Sequence, residues 1–269
     1  MVANFEFKDH YDVSDLIDIV EILRSPDGCP WDREQDHKSI RRDFLEETYE
    51  VIEAINKDDK DLLLEELGDV LLQVVFHTQI EREKGTFQLS DVADGVCKKM
   101  IERHPHVFGE INVETSEQVL ENWDVIKKRT KQQKTQTESM LSIPREFPAL
   151  MRADKVQKKA SKVGFDWDNV DGAFQKVSEE LNELKEAYLK GDNENIHEEL
   201  GDLLFSVVNV SRFVKVDSEE ALTNSTDKFI NRFSKVEKMA SEQGMDMKNT
   251  DLATLDKLWD MAKKDEGSF

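Results

Sequence analysis

The stretch that decides the fold reads Glu-Glu-Thr-Tyr-Glu at residues 46–50 and Glu-Glu-Leu-Gly-Asp at residues 65–69. The pattern returns as Glu-Glu-Leu-Asn-Glu at 179–183 and Glu-Glu-Leu-Gly-Asp at 198–202, and both parts are displaced by 133 residues, from 46 to 179 and from 65 to 198. A repeat kept at one offset predicts two copies of one structural unit. In each copy, acidic side chains three residues apart share a helix face.

The duplication extends beyond the acidic blocks. Cys-Pro-Trp-Asp at 29–32 precedes the first copy, and Phe-Asp-Trp-Asp at 165–168 precedes the second. Downstream, each copy carries a Lys and an Arg four residues apart, a spacing that places both on one helix face, and then a Trp-Asp dipeptide. These are Lys99, Arg103 and 123–124 in the first half, and Lys228, Arg232 and 259–260 in the second.

The acidic spacing points to a divalent cation. Glu47 neighbours Glu50, and Glu66 neighbours Asp69, so each half brings four oxygen donors toward one spot. Such carboxylates repel one another unless a hard cation such as Mg²⁺ lies among them. The alternative is a solvated acidic face. The glycine inside the second acidic block of each half costs a helix about 1 kcal/mol relative to Ala, and such a glycine usually permits close approach of a neighbour, which favours the metal site.

Composition excludes several classes of protein. The 269 residues include 37 basic and 58 acidic side chains, a net charge of −21, so neither nucleic acid nor an anionic membrane surface is an expected partner. No apolar run approaches the ~18 residues of a membrane span, and the acidic N-terminus predicts no secretory signal. Two isolated cysteines, Cys29 and Cys97, fit a reducing compartment, and we expect a cytoplasmic protein. A phosphate-binding P-loop motif is absent from the sequence.

The hydrophobic periodicity predicts helices and no strands. The fold class is therefore all-α, with two tandem repeated helical bundles of the four-helix-bundle type. We predict an N-terminal domain at 1–130, a polar, Pro-bounded linker at 131–148 and a C-terminal domain at 149–269. The predicted helices lie near 13–23, 40–55, 63–84, 92–103 and 116–131 in the first half, and near 150–161, 172–190, 193–214, 218–243 and 252–264 in the second.

Together these strings resemble a known family. Glu-Glu-x-x-Glu followed by Glu-x-x-Asp, Cys-Pro-Trp-Asp at 29–32, Arg-His-Pro-His-Val-Phe-Gly at 103–109 and Gly-Phe-Asp-Trp at 164–167 closely resemble the tandem-domain MazG nucleoside triphosphate pyrophosphohydrolases. The resemblance covers essentially the whole chain. It implies hydrolysis of NTPs and dNTPs between the α- and β-phosphates to give the monophosphate and pyrophosphate. It also implies Mg²⁺ as cofactor, with Mn²⁺ as a substitute, and a homodimer of helical bundles.

The resemblance also implies roles for individual residues. In the second half it gives the metal ligands and catalytic carboxylates as Glu180, Glu183, Glu199 and Asp202. Glu179 is adjacent to these ligands in the sequence, which makes it a candidate to orient the water or take its proton, although spacing does not separate a base from a ligand. The matching metal ligands of the first half are Glu47, Glu50, Glu66 and Asp69. Nucleotide contacts fall on Lys228, Arg232, Trp259, Lys99, Arg103 and Trp123. The acidic pattern is intact in both halves, so the sequence leaves open which copy turns over substrate.

Other functions remain open at this point. A narrow dUTP- or dCTP-type pyrophosphatase shares the acidic pattern, and a non-catalytic helical module that binds metal to stabilise an assembly needs no turnover. A di-iron carboxylate bundle would use Glu-x-x-His on facing helices. The two Glu-x-x-His strings, Glu34 to His37 and Glu194 to His197, do not correspond across the repeat, which argues against it.

Overall fold

The computed structural model describes residues 5–113, 115–116, 118–119, 122–123, 125–126 and 135–266. These residues contain helices and no strands, which confirms the all-α prediction. The chain folds as two compact units, Met1–Lys127 and Lys128–Phe269, called unit 1 and unit 2 below. None of the helices in the described part of the chain is both long and apolar enough to cross a membrane.

Unit 1 is built on a long helical hairpin. Its helices are α1 (Val13–Arg24), α2 (Pro30–Glu34), α3 (Arg41–Lys57), α4 (Lys60–Glu83), α5 (Leu89–Arg103) and α6 (Pro105–Phe108). The hairpin of α3 and α4 turns at Asp58, which adopts a left-handed conformation, and Asp59 then caps α4 by accepting hydrogen bonds from two backbone amides. Helix α1 packs on α4 around a core that includes Val20, Val75 and Ile80.

Unit 2 repeats this hairpin. Its helices are α7 (Gln136–Leu141), α8 (Ala149–Ser161), α9 (Val170–Lys190), α10 (Asn193–Phe213), α11 (Ser218–Glu242) and α12 (Leu252–Glu266), with a short 3₁₀ turn at Met247–Asn249. Gly191 takes the left-handed position between α9 and α10, and Asp192 caps α10. The two acidic helices are thus antiparallel neighbours, as the sequence predicts. A second hairpin, α11 with α12, has its own core around Val236 and Leu258.

Two predicted segments differ from the structure or extend beyond it. Part of the predicted linker at 131–148 forms α7, which packs on α8, and Gln136 donates a hydrogen bond to the carbonyl of Lys159. Residues 135–148 therefore belong to unit 2, because this polar segment carries enough local capping and packing to form a helix. The helix predicted at 116–131 is helical at its described positions up to Ile126, and residues 127–131 lie outside the described part.

Candidate functional site

The carboxylates of unit 2 converge across the hairpin of α9 and α10. One oxygen each of Glu180 on α9 and of Glu199 and Asp202 on α10 lie within 4.8 Å of one another. A second group of the same kind joins Glu180 to Glu179 and Glu183. Glu180 is the most deeply buried of the five, at 3 % exposure. Each of the five carboxylates predicted for this half therefore belongs to one of two groups that share Glu180.

Unit 1 forms the matching cluster. One oxygen each of Glu47 on α3 and of Glu66 and Asp69 on α4 lie within 4.8 Å of one another. Glu50, the fourth carboxylate predicted for this half, lies near enough to Glu47 and Glu66 to raise the pKa of both. The two clusters use equivalent positions on equivalent helices, so the same acidic pattern brings carboxylates together in both units.

Electrostatics show that these carboxylates are crowded. Burial raises the pKa of Glu47, and the nearby Asp69, Glu50 and Glu66 raise it further. The pKa of Glu66 is raised by burial and then by Glu50, Glu65 and Asp69. A raised pKa means that the surroundings of a carboxyl disfavour its negatively charged form. A divalent cation bound to these oxygens would stabilise that form. Both donor sets consist of oxygen atoms, the ligands that Mg²⁺ prefers.

The same crowding acts in unit 2. Burial raises the pKa of Glu199, followed by the charges of Glu183, Glu180 and Asp202. In unit 2 a cation also contacts the most buried carboxylate of the cluster. Lys176 lies four residues before Glu180 and forms ion pairs with Glu180 and with Glu179, the latter at 2.8 Å.

Lys176 is a site residue that the sequence analysis missed. Its hydrogen bonds to Glu179 and Glu180 raise its pKa, so it remains a cation. The equivalent position in unit 1, 133 residues earlier, is Asp43, which adds negative charge instead. The i,i+4 spacing of Lys176 and Glu180 was the available signal, but such pairs are common on exposed helices.

The predicted cation and tryptophan positions meet within each unit. In unit 1 the guanidinium of Arg103 lies 5.2 Å from the ring centre of Trp123. In unit 2 the guanidinium of Arg232 lies 6.0 Å from that of Trp259, which also packs against Phe229. Lys99 and Lys228 are exposed on the same helices as these arginines. The repeated Arg and Trp of the sequence therefore form the same contact in each unit.

One structural interpretation drawn from the sequence is wrong for the single chain. Gly68 and Gly201 were expected to allow close approach of a neighbour, yet a Cβ added at either position would meet nothing within 4 Å. Both glycines face open space, because the packed side of each helix lies elsewhere around its circumference. They do not fix the packing of the hairpins within one chain.

The carboxylate clusters found among the described residues include no histidine. The ring of His37 contacts His77 and Glu81 on α4, with atom distances of 2.8 Å and 2.6 Å. The Glu-x-x-His string at 34–37 is therefore directed to a separate network. This placement agrees with the argument against a di-iron bundle.

Comparisons with known proteins decide the family. The model of the MazG nucleotide pyrophosphohydrolase domain matches residues 35–108 and 171–237, which span the acidic hairpin of each unit. A nucleoside triphosphate pyrophosphohydrolase/pyrophosphatase MazG of Thermotoga maritima is 46% identical over 249 residues, covering 93% of this chain and 94% of that protein. The chain belongs to the MazG family.

Two further relatives match nearly the whole of this chain. A nucleoside triphosphate pyrophosphohydrolase of Escherichia coli K12 is 41% identical over 256 residues, covering 93% of this chain and 97% of that protein. The uncharacterized protein YabN of Bacillus subtilis is 46% identical over 259 residues, which cover 96% of this chain and 53% of that protein. The MazG assignment therefore extends to both units.

Proposed function

We propose that this chain hydrolyses nucleoside and deoxynucleoside triphosphates to the monophosphate and pyrophosphate in a Mg²⁺-dependent reaction. Membership of the MazG family and the names of its relatives support a nucleoside triphosphate pyrophosphohydrolase. The observation that carries the proposal is the convergence of carboxylates from two antiparallel helices, within 4.8 Å of one another, in both units. In the reaction, water attacks the α-phosphorus. The bond between this phosphorus and the oxygen that bridges it to the β-phosphorus breaks, and pyrophosphate leaves.

The metal would be held in unit 2 by Glu180, Glu183, Glu199 and Asp202. Mg²⁺ bound there would supply positive charge for the phosphate oxygens and lower the pKa of water. Glu179, which shares a donor group with Glu180 and Glu183, would orient the attacking water or accept its proton. The equivalent ligands of unit 1 are Glu47, Glu50, Glu66 and Asp69, with Mn²⁺ as a substitute metal in either unit.

The cations and tryptophans would bind the rest of the nucleotide. Lys228 and Arg232 suit the triphosphate, because fixed cations stabilise phosphate oxygens without reorganisation. Trp259 offers an aromatic face beside Arg232. Lys99, Arg103 and Trp123 hold the equivalent places in unit 1. We assign turnover to unit 2, where Lys176 adds a cation beside the carboxylates that can pair with the phosphate oxygens of a bound nucleotide.

We further propose that the protein is a homodimer. Several large apolar side chains of α10 are exposed in the single chain, among them Leu200, Leu204 and Val207, at 46%, 50% and 47%. Apolar side chains in such number on one helix favour burial against another surface. A second copy of the chain supplies such a surface with closed symmetry, and small bundles gain from the extra buried area.

The test is product analysis on the common NTPs and dNTPs, with Mg²⁺, with Mn²⁺ and with a chelator. We expect monophosphate and pyrophosphate in equal amounts, and loss of both products with the chelator. Activity spread over all bases supports the broad assignment, whereas activity confined to dUTP or dCTP would replace it with the narrow one. Absence of turnover on every nucleotide would leave a metal-stabilised interaction module.

A further inference from the structure

Two histidines of unit 1 meet edge to edge. His37 lies in the segment before α3, and His77 lies on α4. Their Nδ1 atoms are 2.8 Å apart, their ring centres are 5.1 Å apart, and their ring planes differ by only 8°. The distance between centres exceeds the distance between nitrogens by about the width of one ring, so the two rings lie end to end in one plane. This is the geometry of a hydrogen bond between two imidazoles.

The other ring nitrogen of His37 is engaged by Glu81 of α4. Nε2 of His37 lies 2.6 Å from Oε1 of Glu81, which also accepts hydrogen bonds from Lys84 and Thr86. Hydrogen bonds from Lys84, Thr86 and His37 lower the pKa of Glu81 to about 2. Because a carboxylate only accepts, Nε2 of His37 carries a proton, and Nδ1 of His37 is the atom that meets His77.

The contact between the two Nδ1 atoms has room for one proton. With one proton there, the N–H of one ring donates to the bare nitrogen of the other, both in a neutral pair and in a pair with one positive charge. A second charge puts an N–H on both sides of the contact, so repulsion between like charges replaces the hydrogen bond. The pair therefore holds together with at most one charged imidazole.

The surroundings of His77 oppose the second charge. Burial lowers the pKa of His77, and the charge of His37 lowers it further. From α3, the ring of Phe44 packs edge-on against His77, with ring centres 5.8 Å apart, and α1 meets α4 through an apolar core. The charged groups near the pair are Glu81 and Lys84 of α4 and Asp36 beside His37.

Unit 2 has valines where unit 1 has this network. The offset of 133 residues relates His37 to Val170, His77 to Val210 and Glu81 to Val214. Valine side chains neither titrate nor form hydrogen bonds. The shared proton is therefore a property of unit 1, and the matching segment of unit 2 is an internal reference for it.

We propose that His37 and His77 form a pH-sensitive latch, which holds the segment before α3 on α4 at neutral pH and opens when both imidazoles are charged. The latch goes beyond the proposed function, because it concerns the packing of unit 1 and not turnover. The segment leads directly into α3, which carries Glu47 and Glu50. Opening of the latch would therefore loosen the start of the helix that supplies two of the proposed metal ligands of unit 1.

The test follows amide hydrogen exchange of residues 36–44 in the full chain from about pH 7.5 to about pH 5. Rates are expressed as protection relative to an unfolded peptide at the same pH. We expect wild type to be better protected here than His77→Gln at neutral pH. This excess should fall below the ordinary histidine pKa of 6.5 by up to tenfold per pH unit, the limit for one proton, because the folded chain resists a proton that the open segment accepts.

The comparison of wild type with His77→Gln removes other titrations. Glu47 and Glu66, whose pKa values are raised, affect the stability of unit 1 with the opposite sign and are present in both proteins. An excess of protection that stays constant with pH, or no excess at any pH, would overturn the latch.

Two controls show whether the effect belongs to this pair. His197→Gln removes an exposed histidine of unit 2 and should leave residues 36–44 as they are in wild type. Residues 169–177, the matching segment of unit 2, should exchange alike in wild type and in His77→Gln at every pH. A change of equal size in both segments would contradict a latch confined to unit 1.

Nitrogen-15 NMR of the histidine rings in wild type decides the matter even if His77→Gln does not fold. The chemical shifts of ring nitrogens report which of them carries a proton. We expect His77 to take up its proton below pH 6.5, and the signals of His37 to change in the same step, because the two rings share one proton. Titration of His77 without any response of His37 would reject the latch.

Discussion

At the scale of single residues, the acidic spacing predicted which carboxylates meet, because residues three apart on two antiparallel helices must share one side. The same reasoning did not single out Lys176, because its pairing with Glu180 is an ordinary i,i+4 contact of a kind common on exposed helices. What distinguishes this pair is the group of carboxylates that the second helix brings to Glu180, and that group depends on how the two helices pack.

The raised pKa of Glu66 makes stability depend on pH. A carboxyl whose pKa is higher in the folded than in the unfolded protein binds more protons when folded, so stability falls as pH rises from its ordinary 4.5 through the folded value. In metal-free protein, Glu66→Gln should therefore become more stable than wild type above that pH and not below it. Urea unfolding at a series of pH values measures the difference.

Glu65, the exposed neighbour of Glu66, supplies the control for the unfolding series. Glu65→Gln removes one charge from the same helix and should change stability far less with pH. Saturating Mg²⁺ should reverse the order and make wild type the more stable protein. A constant difference between Glu66→Gln and wild type across the whole pH range would contradict the crowding described here.

Lys176 should weaken metal binding in unit 2 while it neutralises Glu180. In a Glu47→Gln background, which weakens the site of unit 1, Lys176→Met should bind Mg²⁺ more tightly by about fivefold, the effect of one nearby surface charge. Lys185→Met, on the same helix and exposed, is the matched control and should leave affinity unchanged. Titration calorimetry measures the Mg²⁺ affinity of the Glu47→Gln background and of the two Lys variants made in it. Equal affinity in all three proteins would rule out an effect of Lys176 on metal binding.

At the scale of elements, the sequence predicted the long helices to within a few residues. The acidic helices end where turn residues appear, and their capping side chains are visible in the sequence. The short helices α2, α6 and α7 were not predicted, because four to six residues contain too little periodicity to separate a helix from a turn. Part of the predicted linker became α7 for this reason.

The two hairpin turns give a stability prediction. Asp58 and Gly191 occupy the same left-handed position, at φ 51° and 69°, and only glycine does so without steric cost. Asp58→Gly should therefore stabilise unit 1 by about 1 kcal/mol, and Gly191→Asp should destabilise unit 2 by a similar amount. Thermal and urea unfolding measure both. Opposite signs, or no change in either variant, would contradict the shared turn.

At the scale of the whole molecule, the two units keep the same acidic hairpin but differ around it. Unit 2 has Lys176 and an open cavity, whereas unit 1 has Asp43 and the buried Arg24 and Phe76. The equal acidic patterns in the sequence left the working unit undecided. The surroundings, which only the structure supplies, favour unit 2.

The proposed dimer gives a prediction at the same scale. Leu204→Lys places a charge among the exposed apolar residues of α10 and should shift the protein from dimer to monomer. Leu252→Lys, at an exposed site on α12, should leave the dimer intact. Sedimentation velocity over a range of concentrations measures both. A monomeric wild type, or a dimer that tolerates Leu204→Lys, would contradict the use of this face.

The central claim is that unit 2 carries turnover through its carboxylate cluster. It is tested most directly by pyrophosphate release from NTPs in wild type, Glu47→Gln, Glu180→Gln and the double variant. We expect Glu47→Gln to keep most of the activity and Glu180→Gln to reduce the rate at least a hundredfold. A hundredfold reduction corresponds to about 2.7 kcal/mol of lost transition-state stabilisation, the scale found when one stabilising group is removed. Full activity in Glu180→Gln with loss in Glu47→Gln would contradict the account and place turnover in unit 1.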